Sequence, residues 1–86
     1  MNMYDKRIIK FSASWCGPCK ALNKMLEGSD LGVPIDSVDV DEGYEISRQY
    51  GVRAVPTLIL LQCEKEVGRL NGAKTVAEIQ EWINQH

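Results

Sequence analysis

The chain reads as an α/β domain with the element order strand, helix, strand, helix, strand, strand, helix. Three observations predict it. Short apolar, β-branched runs alternate with stretches whose apolar residues recur at helical spacing. The last two strand-like runs stand too close together to hold a helix between them. The length of 86 residues, 44% hydrophobic and 26% charged, suits one globular domain spanning 1–86, with no second domain, repeat or linker. Two helical crossovers followed by a hairpin give a four-stranded mixed sheet, its first two strands parallel, with helices covering both faces. A chain this short buries only roughly 60–65% of the surface it exposes unfolded, so the core is thin and must be complete.

The first strand is "RIIKF", Arg7 to Phe11, apolar on both faces except for Lys10. From Pro18 the period changes: Cys19, Leu22 and Leu26 fall on one helical stripe, Lys20, Asn23, Lys24 and Glu27 turn outward, and Gly28 stops the helix. "PIDSVDV", Pro34 to Val40, is the second strand. "DEGYEISRQYG" is a short helix with Asp41 as its N-cap and Gly51 at its end. "TLILL", Thr57 to Leu61, follows Pro56 as an unbroken apolar strand, and "EVGRL", Glu66 to Leu70, returns antiparallel at an edge after a hairpin over Gln62 to Lys65. The closing helix opens with Thr75 and Glu78 at capping-box spacing and carries Val76, Ile79, Trp82 and Ile83 along one stripe.

Charge and hydropathy exclude several functions. Ten Lys plus Arg against twelve Asp plus Glu, a net charge of −2, leave no basic excess for nucleic acid. No apolar run reaches membrane-spanning length, and "MNMYDKRIIKF" enters its strand too early for a secretory signal, so the expected location is the cytoplasm and the expected state a monomer.

The chemistry lies in "SASWCGPCKALN", Ser12 to Asn23. Three cysteines, Cys16, Cys19 and Cys63, do not make the even set of a secreted disulfide framework, and a bridge across two intervening residues closes too small a loop to stabilise much. A zinc site needs two further ligands, and only Cys63 and the terminal His86 remain, so no metal is expected. A working dithiol needs one accessible thiolate and one sheltered thiol. Cys16 falls where a strand hands over to a helix, so the free N–H groups of the first turn and the positive end of the helix dipole favour its thiolate. Cys19 shares the buried stripe with Leu22 and Leu26. Cys16 is therefore expected to be the exposed nucleophile and Cys19 the resolving thiol. Gly17 lets a partner's backbone approach, and Pro18 sets φ in the first turn, where its missing N–H is not needed.

"WCGPCK" on a strand-to-helix turn in this topology resembles the active-site motif of the thioredoxin family. "GVRAVPT", Gly51 to Thr57, and "NGAKT", Asn71 to Thr75, resemble two further segments of that family, and the likeness runs from Arg7 onward. The resemblance implies a thioredoxin-like fold and a protein-disulfide reductase that cycles through a Cys16–Cys19 disulfide without a bound cofactor. Its partners would be protein disulfides and, as electron donor, thioredoxin reductase or the glutathione system. It also implies that Trp15 flanks the attacking sulfur, that Pro56 is a cis-proline beside it, that Val55 offers its backbone to an extended substrate, and that Gly72 and Ala73 complete the docking surface.

Three departures stand out. The extra strand and helix that open thioredoxins of usual length are missing, an aromatic position is Ser12, and the family's buried acid is replaced by Lys10. A buried ammonium needs an acid, and Asp39 on the parallel second strand shares its face by the two-residue period, an arrangement in which Lys10 would lie beneath the dithiol and support the site by favouring its thiolates; the other outlet is to run the ammonium to the end of the sheet and leave the dithiol untouched. The chain's size keeps a glutaredoxin-like, glutathione-reloaded enzyme open as an alternative, and an accessory binding module with dispensable cysteines as another. Cys63, in the hairpin connection, has no evident partner.

Overall fold

The computed structural model describes residues 5–86. The expected absence of a leader falls partly on residues 1–4, outside those described. The elements are β1 (Lys6–Ser12), α1 (Gly17–Glu27), β2 (Ile35–Asp39), α2 (Tyr44–Gln49), β3 (Thr57–Gln62), β4 (Lys65–Asn71) and α3 (Val76–Asn84), in the order the sequence predicts. They build one four-stranded sheet in the order β2-β1-β3-β4. β1 and β2 are parallel, with Ile8 opposite Ile35 and Phe11 opposite Val38, whereas β3 runs antiparallel to both β1 and β4.

Alternation along the central strands splits the core in two. Ile8, Leu58 and Leu60 pack with Leu22 and Leu26 of α1 and with Ile79, Trp82 and Ile83 of α3. Ile9, Phe11, Ile59 and Leu61 face the other way, onto Ile46 of α2 and Tyr50 and Val52 beyond it. Both faces are thus covered, and each fully buried Ile, Leu or Phe contributes roughly 1.5–3 kcal/mol. The centre of the sheet, where β1 is clamped between β2 and β3, is the rigid platform from which the turn into α1 projects.

Helix ends mostly follow their sequence signals. Thr75 Oγ1 accepts the Glu78 N–H at 3.1 Å and Glu78 Oε1 accepts the Thr75 N–H at 2.9 Å, a complete capping box. Gly51, at φ +66°, closes the turn after α2 with its N–H on the Arg48 carbonyl at 3.0 Å. The cap of α2 is different from the expected one. Its N-cap is Gly43 with no side-chain bond, because Asp39, not Asp41, orders the approach: Asp39 Oδ1 accepts the N–H groups of Asp41 and Glu42 at 2.8 and 3.3 Å. No helix among the described residues is long and apolar enough to cross a membrane.

Candidate active site

β1 carries the chain to the top of the sheet, and Ala13 to Trp15 turn it into α1. Cys16 is the N-cap, with extended backbone (φ −95°, ψ 109°), and its sulfur accepts the Cys19 N–H at 3.2 Å. Pro18 lies in the first turn, which contains no acidic side chain to oppose a negative sulfur. Cys16 and Cys19 are joined as a disulfide, their Cα atoms 5.2 Å apart. Cys19 is 0% exposed, as the helical stripe requires. Cys16 is 5% exposed rather than an open thiol, because the bridge to Cys19 and packing against Ala13 and Val55 enclose it.

Pro56 and Val55 come from the segment before β3. The Val55–Pro56 bond is cis, Pro56 is buried, and the Val55 carbonyl oxygen lies 3.8 Å from Cys16 Sγ. The Gly72 N–H, at a φ of +87° that favours glycine, bonds the Pro56 carbonyl at 2.8 Å and draws the exposed Gly72–Ala73 loop beside the same site. Thr57 Oγ1 donates to the Ala54 carbonyl at 2.7 Å and so holds the loop's base. Trp15 is 67% exposed, and its Nε1–H donates to Asp41 Oδ2 at 3.0 Å. Between them Trp15, Val40, Val52, Arg53, Ala54 and Val55 line a shallow, largely apolar groove of about 160 Å³. Trp15, Gly17, Pro18, Val55, Pro56, Gly72 and Ala73 thus gather around the Cys16–Cys19 pair or on its immediate rim.

Of the two outlets expected for Lys10, the Asp39 pair does not form. It lies on the α1 side of β1, opposite Ser37 of β2 and Leu58 of β3, and is 9% exposed. Asp39 does share its face, two residues further along β2 and opposite Ser12, but its Oδ1 accepts the Asp41 and Glu42 N–H groups. Among the described residues no carboxylate oxygen comes within 4.0 Å of the Lys10 ammonium. Burial pushes its pKa below the usual lysine value, and the more distant Glu27 carboxylate partly opposes this. Lys10, Asn23, Leu26, Glu27, Ile35 and Ser37 line a cavity of about 350 Å³. Asn23, expected to point outward, is half-buried and turns its Oδ1 inward because the α1 stripe widens toward this cavity.

Cys63 is exposed in the β3–β4 turn, at the end of the sheet opposite the dithiol, since Gln62 pairs with Lys6 while Thr57 pairs with Phe11. His86 packs against Trp82, its ring centroid 6.2 Å away. Among the described residues no three His, Cys, Asp or Glu side chains converge as a metal site would require.

Sequence reasoning missed the groove walls Val40, Val52, Arg53 and Ala54, the Asp41 acceptor and the Asn23 amide. The alternation of Val52, Ala54 and Pro56 was a usable signal for one wall. The other contacts join residues far apart in the chain and left no local trace.

A redox-active cysteine pair at a helix N-terminus, facing a surface groove on a mixed sheet of this connectivity, defines a thiol–disulfide oxidoreductase. The comparison with known proteins narrows the class. The thioredoxin family model matches residues 1–85, and the chain belongs to that family. It is similar to a thioredoxin of Chlamydia caviae, 43% identical over 82 residues covering 92% of this chain and 80% of the relative. It is similar also to a thioredoxin of Bacillus subtilis, 40% identical over 80 residues covering 88% of this chain and 77% of the relative. Among solved structures, a thioredoxin from Nicotiana alata superposes with a TM-score of 0.86 at 34% identity, over 99% of this chain and 76% of the other.

Proposed function

We propose that this chain is a general reductase of protein disulfides in which Cys16 attacks and Cys19 resolves. The observation that carries the assignment is the asymmetry of the two sulfurs. Cys16 caps α1, accepts a first-turn N–H and borders the groove, whereas Cys19 is wholly enclosed. The N–H groups and dipole at the start of α1 favour negative charge on Cys16 sulfur.

In the forward direction the Cys16 thiolate attacks one sulfur of a substrate disulfide. That bond breaks, a Cys16–substrate disulfide forms, and the departing sulfur takes a proton from solvent. Cys19 then loses its proton and attacks Cys16 Sγ, releasing the second substrate thiol and leaving the Cys16–Cys19 disulfide. Two electrons and two protons pass to the substrate. The Val55 backbone, with Trp15 and the Gly72–Ala73 loop on either side and Pro56 shaping the floor, offers an extended peptide one polar rail in an apolar groove.

The donor that restores the dithiol is proposed to be NADPH-linked thioredoxin reductase, and the working form a cytoplasmic monomer that carries electrons in redox homeostasis. Insulin reduction tests this with two arms: thioredoxin reductase plus NADPH, and glutathione plus glutathione reductase. Turnover in the first arm alone is expected. Turnover in the second arm alone favours the glutaredoxin-like alternative, and full biological activity of a Cys16→Ser, Cys19→Ser variant favours the accessory-module alternative.

A further inference from the structure

Among the described residues, a cation without an ion pair and a buried amide oxygen without a hydrogen bond stand on the wall of the cavity beside α1. The Lys10 ammonium has no carboxylate within 4.0 Å, although the residue is 9% exposed, and Asn23 Oδ1 is buried without a hydrogen-bond partner. The cavity of about 350 Å³ they share is roomy enough for several waters, each needing about 30 Å³, and its polar lining supplies their partners. The groups that face Lys10 are few. From α1 come Asn23 and Glu27; from β2 come Ser37 and, two residues on, the engaged Asp39; and from β3 comes Leu58. Glu27 is the one acid whose charge reaches Lys10.

Cys19, Asn23 and Glu27 recur every fourth residue down α1, so Asn23 stands one turn from Cys19, about 6 Å along the helix axis. Cys19 is 0% exposed, yet in the resolving step its thiol must shed a proton and become an anion in that enclosed place. The cavity begins one turn away from it. A cation opposed in the oxidised protein only by the more distant Glu27 carboxylate is a cation free to balance a charge that appears on reduction.

We propose that the Lys10–Asn23 cavity is the proton outlet of Cys19, with Asn23 and cavity water bridging to Lys10, whose ammonium is the counter-charge of the Cys19 thiolate. The proton leaves Cys19 Sγ for cavity water and passes to solvent. The electron pair left on sulfur then forms the bond to Cys16 Sγ as the Cys16–substrate bond breaks. Lys10 is a positioning residue here: it touches neither substrate nor the reacting sulfurs and acts through water and Asn23. The arrangement rests on Cys19 being the resolving thiol, and by linkage whatever Lys10 does to the thiolate, the thiolate does to Lys10.

That reciprocity permits a test on the unmutated chain. The Lys10 ε-amine is titrated by 13C NMR of lysine-labelled protein in the oxidised and reduced states, its signal assigned by its loss in Lys10→Met. Reduction should raise the Lys10 midpoint by about one pH unit, as expected for a single charge at this range in a partly hydrated interior. Cys16→Ser and Cys19→Ser cannot form this disulfide and are each read in one state: the Lys10 midpoint of Cys16→Ser should match that of the reduced parent, and that of Cys19→Ser the oxidised parent. Equal midpoints in the two redox states of the parent, or a Cys19→Ser midpoint as high as that of the reduced parent, would overturn the proposal. As a second readout, Lys10→Met should move the pH profile of substrate release from a Cys16 mixed disulfide upward by a similar amount, with Lys10→Arg restoring it; an unmoved profile counts against the proposal. Neither readout depends on the electron donor, so a failed insulin assay with the Lys10 shift intact removes the reductase reading and leaves the cavity's role standing.

Discussion

The Trp15 indole and the Asp41 carboxylate, 26 residues apart in sequence, meet in a hydrogen bond of 3.0 Å between Nε1 and Oδ2. An aromatic ring that is 67% exposed is therefore held in one orientation at the mouth of the groove, tying the turn before α1 to the loop after β2. A single neutral-to-charged hydrogen bond at the surface is worth about 1.5–3 kcal/mol at most, which suffices to fix a ring but not a fold.

Asp41→Ala should accordingly leave global stability nearly unchanged while loosening Trp15. In a Trp82→Phe background, where Trp15 is the remaining indole, its fluorescence anisotropy should fall and KM for insulin should rise a few-fold with kcat little altered. An unchanged anisotropy would mean that the bond does not hold the ring in solution.

Reduced protein treated with limiting iodoacetamide at neutral pH should be alkylated at Cys16 at least about tenfold faster than at Cys19, since one sulfur caps the helix and the other is enclosed. Cys63 is exposed and would compete, so the measurement belongs in a Cys63→Asn background and is read by peptide mass mapping. Equal rates at Cys16 and Cys19 would reverse or erase the assignment of roles.

Cys63→Asn should itself be informative. Cys63 and Glu64 form the two-residue turn between β3 and β4 with φ of 53° and 67°, the left-handed pair that a type I′ hairpin needs. Asparagine tolerates that region better than cysteine, so urea denaturation should show a gain of up to about 1 kcal/mol. Disulfide-reductase turnover should stay within about twofold, because no step of the exchange uses a third thiol. Glu64 is best left in place, since both its oxygens accept from Arg7, at 3.1 and 2.8 Å.

Gly68 sits under the C-terminus. A Cβ added there would meet His86 Nε2 at 2.9 Å and Trp82 Nε1 at 3.0 Å. Gly68→Ala should cost about 1–3 kcal/mol as an overpacking change. Combining it with His86→Ala should recover part of that loss, so the two substitutions should be visibly non-additive in denaturant midpoints. Strict additivity would show that the terminal ring gives way freely.

The Glu66–Arg69 pair sets a pH dependence. Arg69 donates to both Glu66 oxygens at 2.8 and 2.9 Å and to the Tyr50 carbonyl at 2.7 Å, fastening edge strand β4 to the end of α2. The hydrogen bonds from Arg69 hold the Glu66 carboxyl below its usual pKa of 4.5, against a smaller opposing effect of burial. A folded-state pKa below the unfolded one means the stabilisation is complete above the ordinary value and is lost as pH falls through the lower, folded one. Glu66→Gln should therefore be less stable than the parent at neutral pH, by at most about 1 kcal/mol for so accessible a pair, and the difference should close on acidification below pH 4.5. A gap that widened toward acid would contradict the sign.

Much of the architecture was legible because burial leaves a periodic trace. "RIIKF" and "TLILL" announced central strands, the Cys19–Leu22–Leu26 and Ile79–Trp82–Ile83 stripes announced the helix faces, and each occupies the predicted core. Capping, too, is local, and the Thr75–Glu78 box formed as its spacing required. The dithiol was legible for the same reason, since nucleophile, glycine, proline and sheltered thiol fit within one turn of chain.

What only the tertiary structure decided were the partners of polar groups across long sequence separations. The two-residue period placed Asp39 on the face of Lys10, but backbone N–H groups two and three residues further on took one of its oxygens, being nearer and unable to go unbonded. The Asp41 side chain likewise meets Trp15 instead of capping α2, and Lys10 faces Asn23 and Glu27 across a cavity that no periodicity encodes. Apolar burial sums over many interchangeable contacts and so survives as a pattern in the sequence, whereas a hydrogen bond or an ion pair depends on which single competitor stands a few ångströms closer, and the folded chain alone settles that.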